Sequence, residues 1–124
     1  MYHIKIKRIY DPPETGDGYR ILVDRLWPRG IGKEKATLDE WNKDVAPSPE
    51  ARKDFNHDPT RMEDFKHRYI YELDNNQISV DFAHRIEEKL KSDNVTLLFA
   101  AKSTTINHAI ILKEWLEENI DGKS

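Results

Sequence analysis

The chain has no cysteine. That excludes disulfides, thiolate nucleophiles and cysteine-type zinc sites, and it fits a reducing compartment. Long apolar runs are missing too. No segment approaches the roughly 20 apolar residues that a membrane-spanning helix needs. The start, Met1-Tyr2-His3-Ile4-Lys5, alternates and holds no signal-peptide core. The chain therefore reads as cytoplasmic, with no membrane partner. A strong excess of one charge is also absent, since the formal net charge is −3. Non-specific nucleic-acid binding usually needs a clearly basic domain, so the balance counts against that class. No Gly-x-Gly-x-x-Gly, Gly-x-Ser-x-Gly or His-Glu-x-x-His occurs. Gly30-Ile31-Gly32-Lys33-Glu34 imitates a phosphate loop but lacks the four-residue spacing and the following Ser or Thr.

What is present is enough for one core. The 124 residues are 37% hydrophobic and include three Trp, five Tyr and four Phe, which speaks for a single folded domain. Residues 3–9 alternate as a strand with one wet face. Residues 20–25 form a continuous apolar run, read as a strand buried on both faces. Pro28 to Thr37 reads as a loop. Leu38 to Val45 is either a short edge strand or an extended segment ending at Pro47. Ser48-Pro49-Glu50 starts a short helix that stops near Phe55, with Ser48 as cap. Asp58-Pro59 starts the next, whose stripe is Met62, Phe65, Tyr69 and Leu73. A third helix sets Ile78, Phe82, Ile86 and Leu90 on one face. Val95 to Ala101 is the second strongly apolar strand, and a last helix runs from about Ile106 to Asn119. Strands separated by helices predict an α/β domain with a small, mostly parallel sheet of three to four strands. Trp41, Trp115 and the Phe65–Tyr69 stripe read as core.

The functional argument rests on where the two buried strands end. The first runs into Asp24, Arg25, Leu26, Trp27, Pro28, Arg29 and Gly30, the second into Lys102, Ser103 and Thr104. Ligands of open α/β sheets bind past such carboxyl ends. Parallel neighbours would bring these groups to one edge, where the last helix also begins and its N–H groups favour an anion. Arg25, Arg29 and Lys102 would add positive charge, Arg being suited to phosphate or carboxylate. Asn107 and His108 fall in the first turn of that helix. A positive helix end lowers a histidine's pKa and keeps it neutral, able to act as base or donor. Each residue also has a plainer reading: an ion pair or cap for Asp24 and Arg25, packing for Trp27, solvated charge for Arg29, a carbonyl bond for His108. Asp24 and Arg25 are adjacent, so on a regular strand they point to opposite faces. His3, His67 and His84 show no ligand spacing, so no metal site is expected, and no pattern names a cofactor.

At this point the residues suggest a family. Arg8-Ile9-Tyr10, Ile21-Leu22-Val23-Asp24-Arg25-Leu26-Trp27-Pro28-Arg29-Gly30, Ala46-Pro47-Ser48, the helix from Phe65 through Tyr69 to Glu72-Leu73, and Thr96-Leu97-Leu98-Phe99-Ala100-Ala101 with Asn107-His108-Ala109 together resemble the YeaO-like family. It is a branch of the group named domain of unknown function 488. The resemblance covers nearly the whole chain and implies a compact Rossmann-like domain. Other branches carry Asp-x-Arg after the equivalent strand and Cys-His-Arg in the last helix. Here the first is Asp24-Arg25, without the intervening residue, and the second is Asn107-His108-Ala109, without Cys or Arg. The resemblance leaves His108 as the residue to carry over.

Three functions from different classes follow. The first is binding of a small phosphate- or nucleotide-like anion by Arg25, Trp27, Arg29, Lys102 and Asn107, with Asp24 or His108 available for acid–base catalysis. The second is a nucleic-acid-associated or regulatory module, with Arg8, Arg20, Arg25, Arg29, Lys33 and Lys35 on phosphates and Trp27 stacking. A protein-interaction domain without chemistry is a third.

Overall fold

The computed structural model describes residues 2–55, 58–102 and 107–120. Strands β1 (Ile4–Arg8), β2 (Tyr19–Leu22), β3 (Glu40–Trp41) and β4 (Val95–Phe99) form one sheet, in the order β1-β4-β2-β3. All its pairings are parallel. β4 lies between β1 and β2, and its five residues are all buried. Helices α1 (Lys33–Ala36), α2 (Pro49–Phe55), α3 (Met62–Asp74), α4 (Gln77–Lys89) and α5 (His108–Asn119) complete the described elements. This is the expected α/β, Rossmann-like architecture.

The period of two along each strand divides the core. Ile21, Val23, Val95, Leu97 and Phe99 join the larger cluster, with Phe55, Phe65, Tyr69, Phe82, Ile86 and Leu112 from α2 to α5. Leu22 and Leu98 face the other way and meet Ile9 and Ala36, under Trp27, Ile31 and Leu38. Four helices therefore cover one face, while α1 and its loops cover the other. α1 lies inside the stretch expected to be loop. Trp27 helps to fix that stretch, because its indole N–H donates to Ile31 O at 2.8 Å.

The helix signals translate directly into caps. The Ser48 hydroxyl accepts from Ala51 N and Asp58 from Thr60 N, while Asn76, not read as a cap from the sequence, accepts from Ile78 N. The stretch from Leu38 to Val45 resolves into the two-residue edge strand β3 and a 3₁₀ turn at Lys43–Val45. Two expected core residues stay partly outside. Trp41 is 40% exposed on the edge strand and Ile78 46% exposed in the first turn of α4. Neither position has a further layer above it to complete its burial.

The second strand is shorter than its apolar run. The Val23 N–H still donates to Leu98 O at 3.0 Å, as a ladder requires. A continued parallel ladder would next join Ala100 N–H to Val23 O. Instead Ala100 N–H donates to Asp24 Oδ2 at 2.9 Å, and Val23 O receives His108 Nε2 at 3.0 Å. The carboxylate thus ends β2, and the alternation of faces stops with it.

Candidate anion-binding cleft

A cavity of about 520 Å³ opens where β2 and β4 end. Asp24, Arg25, Asn107 and His108 line it, together with Arg52 and Lys53 of α2. Adjacent Asp24 and Arg25 share one cavity because the strand has already ended. The remaining wall is apolar, from Leu26, Phe55, Phe65 and Ala101 among others.

Each polar group has a structural anchor. Asp24 bonds Ala100 N–H through one oxygen, while the other, Oδ1, lies 3.3 Å from His108 Nε2. Both His108 and Asp24 retain only 15% side-chain exposure. The His108 ring stands edge-on to Tyr69, 6.1 Å between centroids. Burial, followed by the charges of Glu72 and Asp24, pushes the Tyr69 phenol well above its ordinary pKa. That hydroxyl stays protonated and donates to Val45 O. Asn107 is buried and caps α5, its side-chain oxygen accepting from Ile110 N at 3.1 Å.

Arg25 ties the end of β2 to the segment before α2. Its Nε and Nη2 donate to Pro47 O, and Nη2 also to Ala46 O, all at 3.3 Å. These acceptors are carbonyls, so the guanidinium charge is not neutralised. α2 is held in turn by Glu72 of α3, which accepts the Ser48 N–H at 3.0 Å and the Ser48 hydroxyl. The backbone of α2 is fixed by those bonds, while Arg52 and Lys53 remain exposed at the cleft.

Three expected site residues lie elsewhere. Trp27 packs edge-on to Trp41, 5.4 Å between centroids, on the smaller core. Arg29 is exposed in the next loop, where its carbonyl accepts the Tyr10 hydroxyl at 2.7 Å. Lys102 is exposed at the same end of the sheet as Arg25 but does not line the cavity. Ser103, Thr104 and His57 fall outside the described residues. Arg52 and Lys53 were missed by sequence reasoning. The stripe of Ala51 and Phe55 marks the buried side of α2, but which neighbour its open side faces depends on the whole fold.

Several residues of the nucleic-acid reading are engaged within the fold. Arg20 is buried against Asp17 and also donates to Thr37 O and Ala36 O. Arg8 donates to Ala101 O and Ala100 O. Trp27 is occupied as described. Among the described residues, no helix is long and apolar enough to cross a membrane, and no three His, Asp or Glu cluster to hold a metal.

Residues 3–124 match the family described as the inactive DUF488-N3 subclade. The chain belongs to that family. It is 46% identical over 114 residues to the Escherichia coli protein YeaO, covering 92% of this chain and 96% of YeaO. It is 35% identical over 114 residues to Mycobacterium tuberculosis Rv3073c, covering 91% and 92% of the two chains. The Mycobacterium bovis protein Mb3100c matches to the same extent. All three relatives are described as uncharacterised. No solved structure matches significantly. The YeaO-like resemblance read from the Leu-Val-Asp-Arg-Leu-Trp-Pro-Arg-Gly string is therefore a family relationship spanning nearly the whole chain.

Proposed function

We propose that this protein is a receptor for a small anion, held in the cleft past β2 and β4, and that it does not catalyse a reaction on it. The observation that carries the reading is the set of three cations around one cavity, Arg25, Arg52 and Lys53, none of which forms an ion pair with a carboxylate among the described residues. Elsewhere on the surface Arg61, Arg68, Arg85 and Lys91 each meet one. Uncompensated charge gathered in a concave, partly apolar site favours an anionic occupant.

The polar residues support binding over chemistry. In the resemblance to other branches, Asn107 stands where they carry a cysteine, and its oxygen is committed to capping α5. His108 Nε2 is turned to a backbone carbonyl. A family described as inactive agrees with that loss.

The test is thermal unfolding with inorganic phosphate, sulfate, nucleoside monophosphates and short single-stranded DNA, at low and high salt. An anion at about 100 times its Kd adds roughly 2.7 kcal/mol, a shift of several degrees for a domain of this size. The shift should vanish in the Arg52→Ala/Lys53→Ala double variant, whose exposed side chains are not needed for folding. Stabilisation by DNA alone that fades steeply with salt would favour the nucleic-acid reading. No shift with any anion would overturn the receptor.

A further inference from the structure

The cleft is larger and more apolar than a bare inorganic anion fills. Its roughly 520 Å³ falls within the range of sites for organic molecules. Phe55 and Phe65, stacked 4.4 Å apart, contribute to its wall. Leu26 is 70% exposed at the cavity, an apolar side chain left in water. At the inner end Asp24 Oδ1 is buried and accepts no hydrogen bond. A carboxylate oxygen in that state is costly unless a donor reaches it.

The charges also set a direction. A second anion is repelled by Asp24 and drawn to Arg52 and Lys53 on α2. We propose that the ligand is an organic anion with three parts: an anionic group for Arg52 and Lys53, an apolar ring covering Leu26, Phe55 and Phe65, and an N–H or O–H donor for Asp24 Oδ1. This rests on the anion-receptor reading and names the class of anion. Asp24 is then a specificity residue. It favours a ligand that brings a donor, because its oxygen is otherwise left unpaired.

A graded series tests each part on the full chain by titration calorimetry: inorganic phosphate, phenyl phosphate and 4-aminophenyl phosphate. Phenyl phosphate should bind at least about tenfold tighter than inorganic phosphate, and the amine should add about tenfold more, each step corresponding to roughly 1.4 kcal/mol. Asp24→Asn must spend its one oxygen on Ala100 N–H and turn an NH2 toward the cavity. It removes the charge that repels the anion, so it should bind phenyl phosphate at least as tightly and lose the gain from the amine. Leu26→Ala, at an exposed position, should cut the gain from the ring about threefold and leave inorganic phosphate unchanged. Equal affinity for all three compounds would overturn this inference and leave the receptor standing. An amine gain that survives Asp24→Asn would overturn it too. Absence of binding by every compound, inorganic phosphate included, would remove both.

Discussion

His108 Nε2 meets Val23 O at 3.0 Å, at the carbonyl that a continued β-ladder would have given to Ala100. Asp24 Oδ1 lies 3.3 Å from the same nitrogen. Both are acceptors, so Nε2 carries the proton. Nitrogen chemical shifts of the imidazole at neutral pH should show the Nε2–H form. The Nδ1–H form would mean that the strand end is held some other way.

The Ser48–Glu72 contact carries the wall of the cleft. Glu72→Ala removes the acceptor of two hydrogen bonds from Ser48. A hydrogen bond to a charged group contributes about 1.5–3 kcal/mol. We expect urea unfolding to report a loss of about 2 kcal/mol. Amide exchange at 51–55 should accelerate more than exchange in β4. Unchanged protection of α2 would show that Glu72 does not hold it.

Two glycines of positive φ should behave differently. Gly18 has φ +67, and an added Cβ would meet Asn94 O at 2.1 Å. Gly30 has φ +77, with nothing within 4 Å of that position. Gly30→Ala should cost only the left-handed penalty of about 1–2 kcal/mol. Gly18→Ala adds a backbone clash and should cost at least about 3 kcal/mol. Equal midpoints in a denaturant titration would contradict this.

Acid should weaken the fold through Asp17. Burial pushes its carboxyl up, but the Glu14 backbone N–H, Lys7 and Arg20 outweigh that and hold it below the ordinary value of 3.8. Its stabilising contribution is therefore complete above that value and is lost as pH falls through the lower folded pKa. Lys7 is the alkaline counterpart. Burial pulls its ammonium down, yet Glu14 and Asp17 raise it above 10.5. Its contribution is complete below that value and declines as pH rises through the folded pKa. Stability measured against pH should fall at both ends, and Asp17→Asn should flatten the acid side.

Removing the partner should cost more than either titration. Arg20 is 4% and Asp17 1% exposed. Arg20→Met would leave the buried Asp17 with Lys7 as its one remaining cation beside the Glu14 N–H, at a cost of about 3 kcal/mol. A change below about 1 kcal/mol, read from urea midpoints, would show that Lys7 suffices.

The architecture was legible where one physical signal dominates. Val95 to Phe99 is apolar throughout and forms the buried β4. Ser48 and Asp58 precede helices and cap them, whereas Asn107, expected inside the first turn of the last helix, is the cap of α5. The candidate cleft was only half legible. Asp24, Arg25, Asn107 and His108 meet at one cavity, as the ends of parallel strands suggested. Trp27 escaped the reading because its indole satisfies itself four residues on, at Ile31. Arg52 and Lys53 escaped it because α2 is set against the end of β2 by Arg25 and against α3 by Glu72, contacts 22 and 24 residues apart in the chain. No local pattern encodes contacts of that range.

The central position of β4 also dictates an order of events at the ribosome. β1 finds its partner only in β4, and β2 pairs beforehand only with the two residues of β3. The sheet lacks its middle until residues 95–99 leave the exit tunnel. Loop closure across about 75 to 90 residues must then precede most strand pairing, so nascent chains that end before β4 have apolar strand segments to shelter and no full sheet to shelter them in.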